Sequence, residues 1–151
     1  MFEGKLGEKV FKQWLRTQNI RFIEDETSHE DADFFDFSVA EHTIDAKTFT
    51  QDFHKRLLEI VEQFDRKPKD YYIAIRLYFT EFSVYERNQV PVFDFSTVRR
   101  KSAKIVGWAS RDDIANAPVE NLGYGDNHSL WLTDLRDIST LAEELRKLAA
   151  I

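Results

Sequence analysis

The stretch DFFDFSVAEHTIDAKTF, residues 33–49, decides how this chain is read. Two runs of aromatic and β-branched residues flank a polar break at Ala40-Glu41-His42, the pattern of a β-hairpin with a tight connection. In the second arm, residues 43–49, Ile44, Ala46 and Thr48 alternate with Asp45, Lys47 and Phe49. Side chains alternate faces along a strand, so Asp45 and Lys47 project together while Ile44 and Ala46 point the other way. With Glu41 and His42 as the central turn residues, Ala40 faces Thr43, Ser38 faces Asp45 and Asp36 faces Lys47. Asp36 then shares the face of Asp45 and Lys47. A three-residue connection would turn Asp36 to the opposite face, and Asp33 is the reserve first acid.

Outward from the hairpin, the apolar pattern places the other elements. Leu6, Val10, Phe11, Trp14 and Leu15 recur at helical spacing and predict an amphipathic helix over 5–18, ending near Asn19. Glu8 lies at the edge of its apolar arc, where it can border the core. Residues 20–24 read as a first strand and 25–31 as an acidic loop. After the hairpin, Phe53, Leu57, Leu58, Ile60, Val61 and Phe64 predict a helix of about four turns over 51–64, stopped at Lys67-Pro68. YYIAIRLYF, residues 71–79, predicts a strand buried on both faces, joined to the hairpin by a crossover that makes them parallel neighbours.

Residues 80–102, with Pro91 and VFDF, have mixed character: an insertion, a substrate-contacting loop or a mobile segment. Residues 104–109 read as a strand, followed by a helix N-cap at Ser110. Residues 121–127 are turn material, and 129–132 give a short edge strand. Asp137 or Ser139 caps a last helix over 140–150, with Leu141, Leu145 and Leu148 as its buried stripe.

With 151 residues, 42% of them hydrophobic and 32% charged, the chain suits one globular domain over 1–151. No apolar run is long enough to cross a bilayer and no secretory pattern opens the sequence, so a cytoplasmic location is expected. The absence of Cys excludes disulfides, thiolate catalysis and Cys-ligated zinc. His29, His42, His54 and His128 show no paired ligand spacing. No phosphate-binding glycine loop or nucleophile elbow is present. A net charge of −6 gives no general attraction to a polyanion, so any nucleic-acid contact must be local. The candidates are His54 and Lys55 beside Arg56, and the cluster Arg99, Arg100 and Lys101.

Carboxylates around an open cavity hold Mg²⁺ while leaving positions for water and a phosphate oxygen. A nearby lysine can orient that water, or accept its proton if desolvation lowers the lysine's own pKa. Asp36, Asp45 and Lys47 supply this minimum set, and Glu8 extends it. The spacing Asp36-x8-Asp45-Ala46-Lys47, after a helix carrying Gly7-Glu8 and before a helix and a central strand, resembles the PD-(D/E)XK nuclease superfamily. The likeness covers roughly residues 5–80. Phe35 stands where that family's signature has Pro, and the DxxD pair leaves Asp33 open as the first acid.

The resemblance implies an α/β, restriction-endonuclease-like fold, a central mixed β-sheet flanked by α-helices. It also implies a Mg²⁺-dependent (or Mn²⁺-dependent) nuclease acting mostly on DNA, often as a homodimer. Glu8, Asp36, Asp45 and Lys47 would be its catalytic residues, with Asp36, Asp45 and Glu8 on the metal. The competing expectation is a module of the same fold with a decayed site, serving DNA or protein binding.

Overall fold

Helix α1 (Phe2–Thr17) opens the chain, and its buried stripe of Phe11 and Leu15 seats it on a β-sheet. Asn19, in the left-handed region at φ 57°, ends it: the Asn19 amide donates to Arg16 O and the Ile20 amide to Leu15 O, both at 3.0 Å. That pairing satisfies carbonyls the last turn would leave open. The computed structural model describes residues 2–24, 36–51, 53–87, 90–123 and 125–150, with side chains at all of these except 2–4 and 79–102.

The remaining elements are β1 (Ile23–Glu24), β2 (Phe37–Val39), β3 (His42–Phe49), β4 (Arg56–Ile60), α2 (Val61–Arg66), β5 (Tyr71–Arg87), β6 (Val90–Ser110), α3 (Arg111–Ala115), β7 (Val119–Asn121), β8 (Asp126–Trp131), a 3-10 turn (Leu132–Asp134) and α4 (Ile138–Ala149). The main sheet has the order β1-β2-β3-β5-β6. It is mixed: β3 and β5 run parallel, and the other neighbours are antiparallel. The protein is therefore an α/β fold with a mixed sheet flanked by helices. A second, three-stranded antiparallel sheet, β4-β8-β7, is built from the crossover and the C-terminal half.

Over residues 71–77 strand β5 is covered on both faces, as its apolar run predicts, while Tyr78 is exposed. Tyr71, Ile73, Ile75 and Leu77 pack with Phe11, Leu15, Phe37, Ile44, Leu141 and Leu145 under α1 and α4. Tyr72 and Ala74 pack on the other side with Leu57, Phe64, Ala109 and Ile114. Asp70 ties the parallel pair together at its entry: its Oδ2 accepts from the Thr43 amide at 2.9 Å, and its Oδ1 from Arg111 at 2.7 Å. Trp108 anchors α4, donating from Nε1 to Asp137 O and to Thr140 Oγ1, both at 2.9 Å. The caps read from the sequence are in place, with Ser110 and Asp113 forming a reciprocal capping box and Asp137 capping α4.

Four expectations need correction. The strand expected over 20–24 is reduced to β1. The helix expected over 51–64 is instead strand β4 followed by the short α2, and Phe53, read as core-facing, is 74% exposed. Pairing with β8 overrides the apolar spacing there, because Leu57 and Glu59 point inward and alternate with Leu58 and Ile60. The segment 129–132 is no edge, since β8 is the middle strand of its sheet. Residues 80–87 and 90–102 belong to β5 and β6, which pair as an antiparallel ribbon, and beyond Arg76 the described part of β5 pairs with β6 alone. Among the described residues no helix is long and apolar enough to cross a membrane.

Gly7 sets how closely α1 approaches β3, because a Cβ at that position would fall on the Thr48 hydroxyl. That hydroxyl is buried with no hydrogen-bond partner among the described residues. Gly7→Val is expected to cost roughly 1–3 kcal/mol in urea unfolding, and Thr48→Ala in the same chain to recover part of the loss. Full additivity of the two substitutions would show that helix and strand do not meet there.

Candidate functional site

The hairpin turns on Ala40 and Glu41, both at positive φ, 47° and 71°. Val39 pairs His42, Ser38 pairs Thr43 and Phe37 pairs Ile44. The turn thus lies one residue earlier than the sequence suggests, because Ala-Glu lacks the Asn-Gly chemistry that marks such turns. Both arms shift together, so the loop stays two residues long and parity is preserved. The paired register ends at Phe37 and Ile44; Asp36, just outside it, donates its amide to Ile44 O at 3.0 Å, and its side chain meets that of Asp45 rather than Lys47.

Asp36 lies just before β2, and its Oδ2 accepts from the Ala46 amide at 2.8 Å. Its carboxylate thereby takes a place a backbone carbonyl would fill, and is fixed beside Asp45. Burial, then the charge of Asp45, push the Asp36 carboxyl up to about 9; Glu8, within hydrogen-bonding reach from α1, adds to the rise, and the Ala46 amide opposes it. For Asp45, burial works upward, but Lys47 first, then the hydrogen bond with Asp36, and Lys69 hold the group below its ordinary value. One proton is therefore shared out unequally: Asp36 keeps it and Asp45 carries the charge.

Lys47 Nζ is 3.2 Å from Asp45 Oδ2 and 3.3 Å from Glu59 Oε1. Burial would lower its pKa, but the two carboxylates outweigh that and hold it above the ordinary lysine value. Of the two roles the sequence leaves open for this lysine, orienting a water or accepting its proton, the raised pKa favours the first. Its Nζ also stands 5.9 Å from the centre of the Tyr72 ring, and Tyr72 lies beside Asp45 across the parallel strands.

The structure brings Glu8, Asp36, Asp45 and Lys47 together. Asp33 lies outside the described residues. His54 and Lys55 sit on the loop after β3, within one short segment of the acids. Arg99, Arg100 and Lys101 lie on β6, and their side chains are outside those described.

Sequence reasoning missed Glu59, Lys69, Tyr72 and His128. Glu59, 4% exposed, is directed at Lys47 from the second sheet. A buried acid inside a strand whose apolar residues mimic a helix gives no sequence signal beyond its rarity. Lys69 is also buried; its amide donates to Tyr72 Oη at 2.9 Å and its Nζ to Lys67 O at 3.0 Å. His128 pairs with Glu59 across β4 and β8 and packs edge-on against Phe64, and neither ring nitrogen has a hydrogen-bond partner among the described residues.

Among the described residues no group of three His, Cys, Asp or Glu side chains is disposed to hold a metal ion. The donor set is smaller, the facing carboxyls of Asp36 and Asp45. Mg²⁺ fits such a pair, since it is usually bound through one or two carboxylates with water and phosphate oxygens completing the shell. Two carboxyls forced to share a proton are also a place where a divalent cation relieves repulsion.

The unfolded value for Asp36 is 3.8, so between about pH 4 and pH 9 the folded protein keeps a proton that the unfolded chain releases. Stability from this group is full below that window and lost as pH rises through it. Asp45 has the opposite sign, contributing above its unfolded value and losing its contribution in acid. Asp36→Asn is therefore expected to stabilise the metal-free protein by roughly 1–2 kcal/mol near pH 8 and to change little near pH 4, by denaturant unfolding at both values. Equal effects at the two pH values would mean that Asp36 is ionised in the native state.

Comparison with family models, curated proteins and solved structures found no match to this chain, and the chemistry assigned to it rests on the geometry of Asp36, Asp45, Lys47 and Glu59.

Proposed function

We propose that this chain is a Mg²⁺-dependent phosphodiesterase acting on nucleic acid, foremost a DNA endonuclease of the PD-(D/E)XK, restriction-endonuclease-like type, working in the cytoplasm. The observation that carries the reading is the pairing of Asp36 with Asp45 on one face of the hairpin, with the Lys47 ammonium 3.2 Å from Asp45. The element order also supports it: a helix, three antiparallel strands, a crossover and a parallel central strand.

In this reading Asp36 and Asp45 would hold the metal, with Glu8 steadying Asp36 from α1. The ion would supply Lewis-acid polarisation of the phosphate and a water of lowered pKa. Loading the pair would require Asp36 to give up its proton, so metal affinity would rise with pH through the range where that carboxyl titrates. Lys47, held charged, donates to the attacking water or to a phosphate oxygen, and so orients and stabilises rather than acting as the base. Glu59 fixes the lysine from behind and keeps its direction set.

A second reading, a catalytically inactive module of the same fold for DNA or protein binding, draws on the structural work these side chains already do. Asp36 caps the Ala46 amide, and Lys47 neutralises two acids. The two readings differ in solution. Asp45→Asn and Lys47→Gln are expected to lower Mg²⁺-dependent cleavage of plasmid and single-stranded DNA by at least about 100-fold with far-UV circular dichroism unchanged. Mg²⁺ should raise the Tm of the parent protein and leave that of Asp45→Asn unmoved. A parent protein that cuts neither DNA form nor RNA, and whose Tm ignores Mg²⁺ and Mn²⁺, belongs to the second reading.

A further inference from the structure

The loop between β3 and β4 presents an aromatic surface that the hydrolytic site does not use. Phe53 is 74% exposed and meets His54 edge-on, with ring centres 4.4 Å apart at 64°. His54 in turn meets Phe49 edge-on at 6.3 Å. Phe49 is on β3, two residues beyond Lys47 and four beyond Asp45, so all three project from one face at steps of roughly 6.7 Å. From Phe49, itself partly buried against the second core, ring contacts run through His54 to the open ring of Phe53. On β4, the Arg56 guanidinium lies 4.5 Å from the centre of the Trp131 ring, and Trp131 is 49% exposed.

This loop is built to stay where it is. Arg76, a buried strand residue, donates from Nη1 to Gln51 O at 3.1 Å and from Nη2 to His54 O at 2.7 Å. The Leu132 amide donates to Lys55 O at 2.9 Å and fixes the other end. A buried guanidinium and two anchored carbonyls thus hold a phenyl ring in water, forgoing the gain of burying it. A mobile loop could fold such a ring away; a pinned one keeps it available.

We propose that Phe53, with Trp131 on β8 across from Arg56, forms a stacking platform for the bases of an unpaired nucleic-acid strand whose backbone passes the Asp36–Asp45 pair. The proposal rests on the reading of that pair as a phosphodiesterase site, and it names the substrate class as single-stranded or locally unpaired. Bases inside a duplex are already stacked and cannot lie on a protein ring, whereas every unpaired base offers a π face. The spacing of Asp45, Lys47 and Phe49 along β3 is close to the separation of successive nucleotides in an extended strand. Lys55 and Arg56 supply the local positive charge, and Arg56 is already paired with Glu120.

The test is fluorescence anisotropy with a labelled oligo-dT of about fifteen residues and a hairpin duplex of matched length, in EDTA and again in Ca²⁺. The full-length protein should bind oligo-dT at least about 10-fold more tightly than the duplex. Phe53→Ala and Trp131→Ala should each remove about 10-fold of that affinity, and Phe53→Trp should restore it. The slope of log K against log salt should be shallow, of magnitude about 1–2, as expected for one or two phosphate contacts.

Equal affinity for the two probes, or Phe53→Ala binding as well as the parent, overturns the proposal and leaves the exposed rings as a protein-docking surface. Asp45→Asn separates this proposal from the reading it builds on. Strand binding retained in a parent protein that cuts nothing would sink the hydrolytic assignment and spare the platform. Cleavage of duplex without Phe53-dependent strand binding would do the reverse.

Discussion

The ammonium of Lys47 lies between two carboxylates that belong to different sheets, Asp45 on the main one and Glu59 on the smaller one. Neither acid would sit comfortably there without it. Burying an ion costs several kcal/mol even after relaxation, and removing one partner of a buried pair typically costs about 3–5 kcal/mol. The lysine thus does two things at once: it joins the sheets across their interface, and it keeps Asp45 ionised beside a neighbour that stays protonated. The unequal states of the two hairpin acids follow from this asymmetry, since Lys47 ranks among the influences on Asp45 and not among those on Asp36.

The parts of this arrangement that could be read from the sequence are those governed by local periodicity. Alternation along residues 43–49 places Asp45 and Lys47 together whatever the partner strand does. Asp36 reaches the same face under any two-residue loop, so misplacing the turn by one residue left the chemistry intact. The helices at 5–18 and 140–150 and the doubly covered strand at 71–79 carry patterns strong enough to survive packing. What could not be read depends on contacts distant in sequence. Leu57 and Leu58 at helical spacing from Phe64 look like one amphipathic face, yet the segment is drawn into a sheet by β8, some seventy residues away. Glu59 was hidden by the same error, because on a helix it would face water and on β4 it faces Lys47.

The ribbon of β5 and β6 illustrates a different limit. Residues 80–102 have β-forming composition with interruptions, and their register with one another slips at several points. Irregular pairing of this kind blurs the two-residue period that identifies strands, which is why the segment reads as mixed. The second sheet escapes for a related reason: β7 has three residues and β8 six, too few for pattern alone.

Asp36 has two employments, and they would be lost at different rates in evolution. Its carboxylate seals the backbone of β3 at Ala46 as well as facing Asp45, so a lineage that abandoned the chemistry would still be under pressure to keep an acceptor there. Asp45 bonds no backbone amide among the described residues; its contacts are with Asp36 and with the Lys47 ammonium, whose other partner, Glu59, would remain if Asp45 changed. A descendant carrying the first acid without the second would therefore be a scaffold wearing the remnant of a site, and the identity of position 45 is the better marker of which descendants still work.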